Sequence, residues 1–424
     1  MRKMKDVVFF DIDDGSPRVL QVVIEKGKVP KNLTFGSSVE TKGILNLNKN
    51  KQIELLAENV EVIGNCDLDD EYPFLPKKSY SDEYLRQYLH FRSRTHKFGS
   101  LLRIRNSICF AIHKYFIENN FIQIHTPVLT SNDCEGAGEV FCVAPYGFNR
   151  ETNSSEGSSF FGDTAYLTVS GQLHLEVMAR SMGNVYSFGP TFRAENSKSR
   201  LHLSEFYMVE AEMAFTYTLE EIMKFCENLI RSVTETVLNV CGEDISKFKD
   251  TNVVNSESMK FTSVPFTVIT YQEAAKILDK NKRQLHSEFH FNNSLSKEHE
   301  LFLVKYNGNM PMFIIEWPKC VKPFYMKSLP ENNEKVMGFD LLSTNVGEIC
   351  GGSLREDDID KLQDSLLELK LQNKLHWYLQ LRKYGNIPTG GFGIGFERYI
   401  QTLLGIPNIK DTIPFPRWPH SCKL

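Results

Sequence analysis

GPTFRAENSKSRLHLSEFYMVEAEMAF, Gly189–Phe215, reads as strand, polar loop, strand. From Asn184 to Arg193 the chain is rich in aromatic and β-branched residues. The loop AENSKSRLHLS is full of Asn and Ser with charges of both signs, and Glu205–Phe215 turns apolar again. At a strand's period of two, Phe206, Met208, Glu210 and Glu212 share one face. Two carboxylates beside an aromatic, with Arg193 next door, are costly there unless they hold a ligand or pair with cations. Composition by itself favours the plainer alternative, an exposed hairpin with solvated charges.

Outward from this hairpin the pattern is strands separated by helices, out of strict alternation. Upstream, Leu101, Ile104, Ile108, Ile112, Tyr115 and Phe116 recur at helical spacing and predict a helix over Phe98–Asn119. FIQIHTPVLT follows as a strand broken at Pro127, which suits an edge or an interface. Ser131–Phe141 is a Gly-containing acidic turn, either a mobile loop over a pocket or a surface turn. Pro145–Gly162 is Ser-, Asn- and Gly-rich, a flexible composition. Ala165–Gly171 reads as a strand and Gln172–Met182 as a helix. Downstream, Leu219–Val240 is an amphipathic helix. Residues 241–310 read as a variable insertion, surface decoration with a helix near Tyr271–Leu278. Pro311–Pro318, Phe324–Ser328 and Val336–Ser343 read as strands. Gly347–Asp357 is a glycine-rich loop carrying Glu348 and Arg355, with a helix over Asp357–Leu371. GGFGIGFER, from Gly390, lacks the GK[ST] of a phosphate-binding P-loop and sits in no βαβ unit. Its glycines let a planar ligand approach the backbone, and Arg398 at the start of the next helix could reach phosphate. There are no internal repeats, and the fold class is α+β with an antiparallel sheet.

Residues 1–65 read as all-β, from Val7–Ile12 through a DDGS turn to Val19–Ile24 and on to Glu58–Gly64. That pattern predicts a small barrel of the oligonucleotide-binding (OB) type. Six Lys and a single acid, Glu40, lie between Lys26 and Lys51, either following a phosphate backbone or forming a solvated face. Residues 66–97 shift to acids, Pro and Ser and read as a linker, leaving 98–424 as the main domain. At 424 residues with a net charge of −4, wholesale nucleic-acid coating is not expected, although a local basic surface is allowed. The nine Cys include no CxxC pair, so free thiols in a reducing compartment are expected rather than a structural zinc site. No apolar run is long enough to span a membrane.

TFRAE with HLSEF resembles motif 2 of the class II aminoacyl-tRNA synthetases, and GFGIGFER resembles their motif 3. The long helix, strand and Pro127 resemble motif 1, the dimer element. A barrel ahead of such a core is similar to subclass IIb. The phrases LTVSGQLHLEVM, YSFGPTFRAENS, EGAGEVF and the ending IPFPRWPHSC resemble the asparaginyl-tRNA synthetases, most of all the mitochondrial ones. The resemblance covers nearly the whole chain. It implies a six-stranded antiparallel sheet flanked by helices, preceded by an OB-type barrel that here lacks its first strand.

It also implies a two-step reaction: asparagine and ATP give asparaginyl-adenylate and pyrophosphate, then the asparaginyl group passes to the terminal adenosine of tRNA(Asn). By resemblance, Arg193 holds the α-phosphate and the attacking carboxylate, Arg398 clamps the γ-phosphate, and Glu348 holds Mg²⁺. Glu195, His202, Leu203, Gly395 and Glu397 border the nucleotide and Phe206 stacks on adenine. Catalysis is then positioning and electrostatics, with no covalent nucleophile. For the amino acid, Glu210 would accept from the asparagine amide nitrogen and Arg355 would donate to its oxygen, while Gln172 and Glu135 help hold the substrate. Leu175 stands where aspartyl enzymes carry a Lys, which removes the cation that an aspartate side chain needs. Phe9 resembles the aromatic that stacks on an anticodon base and Gln21 the residue that reads one; the alternative for Phe9 is a core strand residue, with Phe10 on the opposite face. A homodimer through motif 1 and a mitochondrial matrix location are implied, with no transit peptide visible and the cytoplasm as the alternative.

The sequence departs from the family pattern at Leu201, where the motif 2 loop usually carries a phosphate-binding Arg; Arg200 is the nearest substitute. Three rival readings remain: an aspartyl or dual-specificity enzyme, a non-catalytic synthetase-like tRNA-binding protein, and an asparagine-making enzyme on the same core. Leu175 and Glu210 oppose the first. The presence of Arg193, Glu348, Arg355 and Arg398 opposes the second, and the barrel opposes the third.

Overall fold

The computed structural model describes residues 1–68, 72–132, 139–146, 160–248, 261–262 and 264–424. Two compact units are present, Met1–Ser100 and Leu101–Leu424.

In the first unit, strands β1 (Arg2–Lys3), β2 (Val7–Ile12), β3 (Leu20–Glu25), β4 (Ser38–Leu47) and β5 (Ile53–Gly64) pair in the order β1-β2-β3-β5-β4. Alternation sets the two faces. Val8, Ile24 and Val60 are buried, with Phe10, Val39 and Ala57 packed against them. Phe9 lies across from Val23, and Asp11 from Gln21, so these four share the other face. Among the described residues the strands form an open sheet rather than the expected closed barrel. Closure requires the two edge strands to hydrogen-bond, and β1, one of the edges, is two residues long. Ile44, Leu45 and Leu47 on the other edge, β4, remain exposed.

The second unit contains β6 (Ile122–Gln123), β7 (Leu129–Thr130), β8 (Cys142–Val143), β9 (Ala165–Leu167), β10 (Asn184–Phe192), β11 (Glu205–Ala214), β12 (Thr267–Thr270), β13 (Met312–Pro318), β14 (Ser328–Leu329), β15 (Asn332–Ser343), β16 (Gly347–Leu354) and β17 (Thr389–Gly395). The large sheet runs β12-β13-β15-β16-β17-β11-β10-β6. Its six central strands, β13 to β10, are antiparallel throughout. The sheet is wider and more mixed than the expected six strands, because β12 and β6 add in parallel at the two ends and β14 pairs with β15. Strands β7, β9 and β8 form a separate small sheet.

Helix Leu219–Val240 starts at a capping box, Thr218 with Glu221, and buries Ile222, Cys226, Leu229, Ile230, Val233 and Val237 on one stripe. Each such aliphatic side chain contributes about 1.5–3 kcal/mol by leaving water. Helix His96–Glu118 buries Leu101, Ile104, Ile108, Ile112 and Phe116 and exposes Phe110 and Ile117 on its other side. Two expectations change. Phe324 and Tyr325 are not in a strand; they are buried in the main hydrophobic cluster, Met326 makes a single bridge to Arg355, and Ser328–Leu329 pairs with β15. The 241–310 region is not surface decoration, since Thr267–Thr270 joins the sheet and Tyr271, Ala274, Leu278, Leu303 and Val304 enter the same cluster. Helices Lys297–Tyr306 and His376–Lys383 were not anticipated. Most of the acidic turn before Phe141, with Glu135, and most of the Ser- and Asn-rich segment lie outside the described residues.

Candidate active site

The hairpin β10–β11 keeps a one-to-one register from Asn184–Met213 to Phe192–Glu205. Across β11 runs the glycine strand β17, which sets Gly395, Gly393 and Gly391 opposite Met208, Glu210 and Glu212. These glycines make room for that face. A Cβ on Gly391 would stand 2.2 Å from the Glu212 carboxylate, and one on Gly393 2.8 Å from the Met208 terminal carbon. Glycine here serves side-chain approach.

At one end of this face lies a cleft of about 130 Å³. Arg193, Glu195, His202, Leu203, Phe206, Glu348, Gly395, Glu397 and Arg398 all line it. They come from the ends of β11, β16 and β17, from the chain between β10 and β11, and from the helix Phe396–Leu404 that follows β17. The Arg193 guanidinium lies 5.6 Å from the Phe206 ring centroid and 3.9 Å from Glu195. His202 approaches Glu195 at 3.5 Å and shares its Nδ1 with Ser199. Burial pushes the His202 imidazole down, with Glu195 opposing. Arg398 donates to the Glu348 carbonyl at 3.0 Å, and the two side chains come within 3.8 Å. Leu201 is part of the wall, whereas the Arg200 side chain is exposed.

Glu397 is committed elsewhere. Its carboxylate accepts from Arg105 at 2.6 Å and from the Tyr207 amide at 2.9 Å. Arg105 also lines a larger cavity, about 540 Å³, with Tyr207, Phe188 and Phe415. Tyr207 follows Phe206 on β11, so that cavity faces the opposite side of the sheet.

Glu348 belongs to a carboxylate group. A Cβ on Gly351 would lie 3.4 Å from a Glu348 oxygen and 3.5 Å from an Asp340 oxygen. Lys322 pairs with Asp340 at 2.6 Å, and Glu300 accepts from the Glu348 amide at 2.9 Å. Burial, reinforced by Glu348 and Glu300, pushes the Asp340 carboxyl up to about 7 despite Lys322. Burial also works to raise Glu348, but Arg398, Lys322, Lys297 and Arg193 outweigh it and hold that carboxyl down.

Further along β11 the polar face continues. Glu210 accepts from the Gly171 amide at 2.9 Å and from the Ser170 hydroxyl, with Ser187 at 3.5 Å. Burial pushes its carboxyl up. Gln172 opens the helix Gln172–Met182, and its Nε2 is buried without a hydrogen-bond partner among the described residues. Leu175 packs with Ala179, Val185 and Ile124, so no cation occupies that slot. Arg355 is bound to Glu212 at 2.7 Å and also donates to Ser353. Glu135 lies outside the described residues.

A model of the family described as tRNA synthetases class II (D, K and N) matches residues 81–419. Over its whole length the chain is 46% identical to the mouse (Mus musculus) asparaginyl-tRNA synthetase, spanning 89% of that protein. The chain belongs to the asparaginyl-tRNA synthetases. It is 42% identical, again over 100% of its length and 92% of the relative, to the probable mitochondrial asparagine–tRNA ligase of Dictyostelium discoideum. It is also similar to the crystal structure of the Pyrococcus horikoshii asparaginyl-tRNA synthetase complexed with asparaginyl-adenylate. There the TM-score is 0.87 at 30% identity, covering 99% of this chain and 93% of that one.

For an asparaginyl-tRNA synthetase, two groups were missed in the sequence. Glu212 was noted only as a neighbour of Glu210 at a spacing of two, yet it is the residue that engages Arg355. Asp340 lies in an apolar strand, GFDLLS, where a single acid among apolar residues was the available signal. In the N-terminal unit, Phe9 carries the Arg2 guanidinium 4.8 Å above its ring, on the face away from Val8 and Ile24. Gln21 shares that face and is partly exposed.

Proposed function

We infer that this chain ligates asparagine to tRNA(Asn) by way of asparaginyl-adenylate, using ATP. The observation that carries the reading is the continuity of one face of β11. The arginine-lined cleft around Phe206 runs directly into the polar group Glu210, Ser170 and Gln172.

In the first step an oxygen of the asparagine carboxylate attacks the α-phosphorus of ATP, and the bond to pyrophosphate breaks. Arg193 neutralises charge building on the α-phosphate, Arg398 holds the γ-phosphate, and Phe206 stacks on adenine. Glu195, His202, Leu203 and Gly395 bound the nucleotide. Glu397 acts from behind, fixing the Tyr207 amide and so the Phe206 backbone. The residues fit a magnesium ion. Two carboxylates, Glu348 and Asp340, flank Gly351. That suits a cation held by one or two carboxylates and by phosphates. Mg²⁺ would supply charge neutralisation between phosphates. Gln172 donates its spare Nε2 hydrogens to the substrate, Glu210 accepts from the amide nitrogen, and Arg355 faces the amide oxygen while held by Glu212. Glu135 is assigned to the α-ammonium. In the second step a hydroxyl of the tRNA's terminal adenosine attacks the activated carbonyl and AMP leaves.

The exposed Phe110, Ile117, Ile122, Val128 and Leu129 around the motif 1 helix and strand support a homodimer through that face. Phe9 and Gln21 are assigned to the anticodon. A mitochondrial location is supported by the name of the Dictyostelium relative. The deciding experiment is asparagine-dependent ATP–pyrophosphate exchange followed by charging of cytosolic and mitochondrial tRNA. Absence of exchange with asparagine would refute the reading.

A further inference from the structure

Behind the asparagine pocket lies a group of buried charges that the reaction does not touch. Glu176, one turn into the helix that begins at Gln172, is fully buried. It pairs with Arg382 at 2.7 Å and Arg180 at 3.0 Å, and accepts from the Tyr378 hydroxyl and, at 3.4 Å, from Thr389. Arg382 in turn donates to the Glu356 carbonyl at 2.8 Å, next in sequence to Arg355. The Arg355 amide donates to the Thr389 carbonyl at 2.9 Å. Thr389 and Gly391 share a face of β17, and at Gly391 a Cβ would meet both Glu212 and Arg355. Glu176, Arg180 and Arg382 are thus continuous with Glu212 and Arg355 along one strand. The Glu356 carboxylate is turned aside onto the Ser328 and Asp358 amides.

The charges are paired. Arg180 and Arg382 face Glu176, Arg355 faces Glu212, and Glu210 beside them has Arg193 as its cationic neighbour. A neutral amide substrate leaves this pairing intact, and an aspartate side chain adds an anion where Arg180, Arg355 and Arg382 are each already paired with a carboxylate. In a water-poor site an uncompensated charge is expensive.

We propose that Glu176 and Arg382 are specificity-determining positioning residues that set the charge balance by which asparagine is preferred over aspartate. Neither touches the substrate; they act through the field at Arg355 and Glu212 and through the anchoring of Gln172. The proposal rests on the assignment of Gln172, Glu210 and Arg355 to the amino acid.

The test is pyrophosphate exchange, comparing the KM for asparagine with the inhibition constant of aspartate in the wild-type enzyme, E176Q, R382M and the double variant. Removing the anion should favour aspartate about tenfold, and removing the cation should disfavour it by a similar factor, as expected of a unit charge at an effective dielectric of about 20. The double variant should return towards the wild-type ratio, with the KM for ATP unchanged throughout. If E176Q fails to fold, the step from R382M to the double variant still reads the effect of the Glu176 charge. Shifts of the same sign in E176Q and R382M, or none, overturn the proposal, because loosened packing has no charge-dependent sign. An unchanged asparagine KM in Gln172→Ala would instead overturn the underlying pocket assignment.

Discussion

Glu212 on β11 and Arg355 just beyond β16 meet across the intervening strand, over Gly391, at 2.7 Å and out of contact with water. The ion pair therefore exists only because the middle strand carries no side chain at that point. Gly391→Ala would place a methyl 2.2 Å from the Glu212 oxygen and 2.2 Å from the Ala211 carbonyl. Overpacking of this kind costs about 1–3 kcal/mol. We expect a lowered Tm together with a raised KM for asparagine, checked by thermal denaturation and pyrophosphate exchange.

Glu210 accepts from three donors, Ser170, Gly171 and Ser187, with Arg193 as its cationic neighbour. Its negative charge would repel an acidic substrate. Glu210→Gln removes the repulsion and should shift the aspartate-to-asparagine ratio of exchange towards aspartate by roughly tenfold. An unchanged ratio would remove Glu210 from amino-acid selection.

Arg398 reaches Glu348 through both its backbone carbonyl and its carboxylate. A lysine would keep the charge and lose the planar fork. Arg398→Lys should lower exchange by roughly 10²-fold while asparagine binding, followed by calorimetry, stays within about twofold.

Phe9 is on the sheet face opposite the buried Val8 and Ile24. Phe9→Ala should leave pyrophosphate exchange intact and raise the KM for tRNA. Loss of one stacked base is worth about 1–3 kcal/mol, hence roughly five- to a hundredfold. A variant that also lost exchange would make Phe9 a structural residue.

Burial by itself would raise the Glu176 carboxyl, but Arg382 and Arg180 outweigh it and hold the group below its ordinary value. A depressed pKa in the folded state means that stability is present above the unfolded value of about 4.5 and is lost as pH falls through the folded value. Acid titration of Tm should therefore fall less steeply below about pH 4.5 in E176Q than in the wild type.

Most of the fold was legible because its elements announce themselves locally. Gln172–Met182 and Leu219–Val240 came out with their observed ends, since a glycine precedes one and Thr218 caps the other ahead of clear apolar stripes. The cleft residues were legible because the hairpin and the glycine strand carry their polar groups in short, ordered motifs. What escaped were features that depend on distant partners. Thr267–Thr270 is too short to read as a strand until β13 is beside it. Phe324 and Tyr325 look strand-forming yet enter the core as irregular chain.

The sequence by itself determined the α+β class, the hairpin with its acidic face, and the set of arginines and carboxylates that line the cleft. Periodicity and residue type are local properties and survive in the chain without its fold. Tertiary structure alone decided which charges neutralise one another. It gave Arg355 to Glu212, Arg105 to Glu397, Lys322 to Asp340, and Arg180 and Arg382 to Glu176. Ion pairing falls off with distance and depends on burial, and neither quantity is written along the chain.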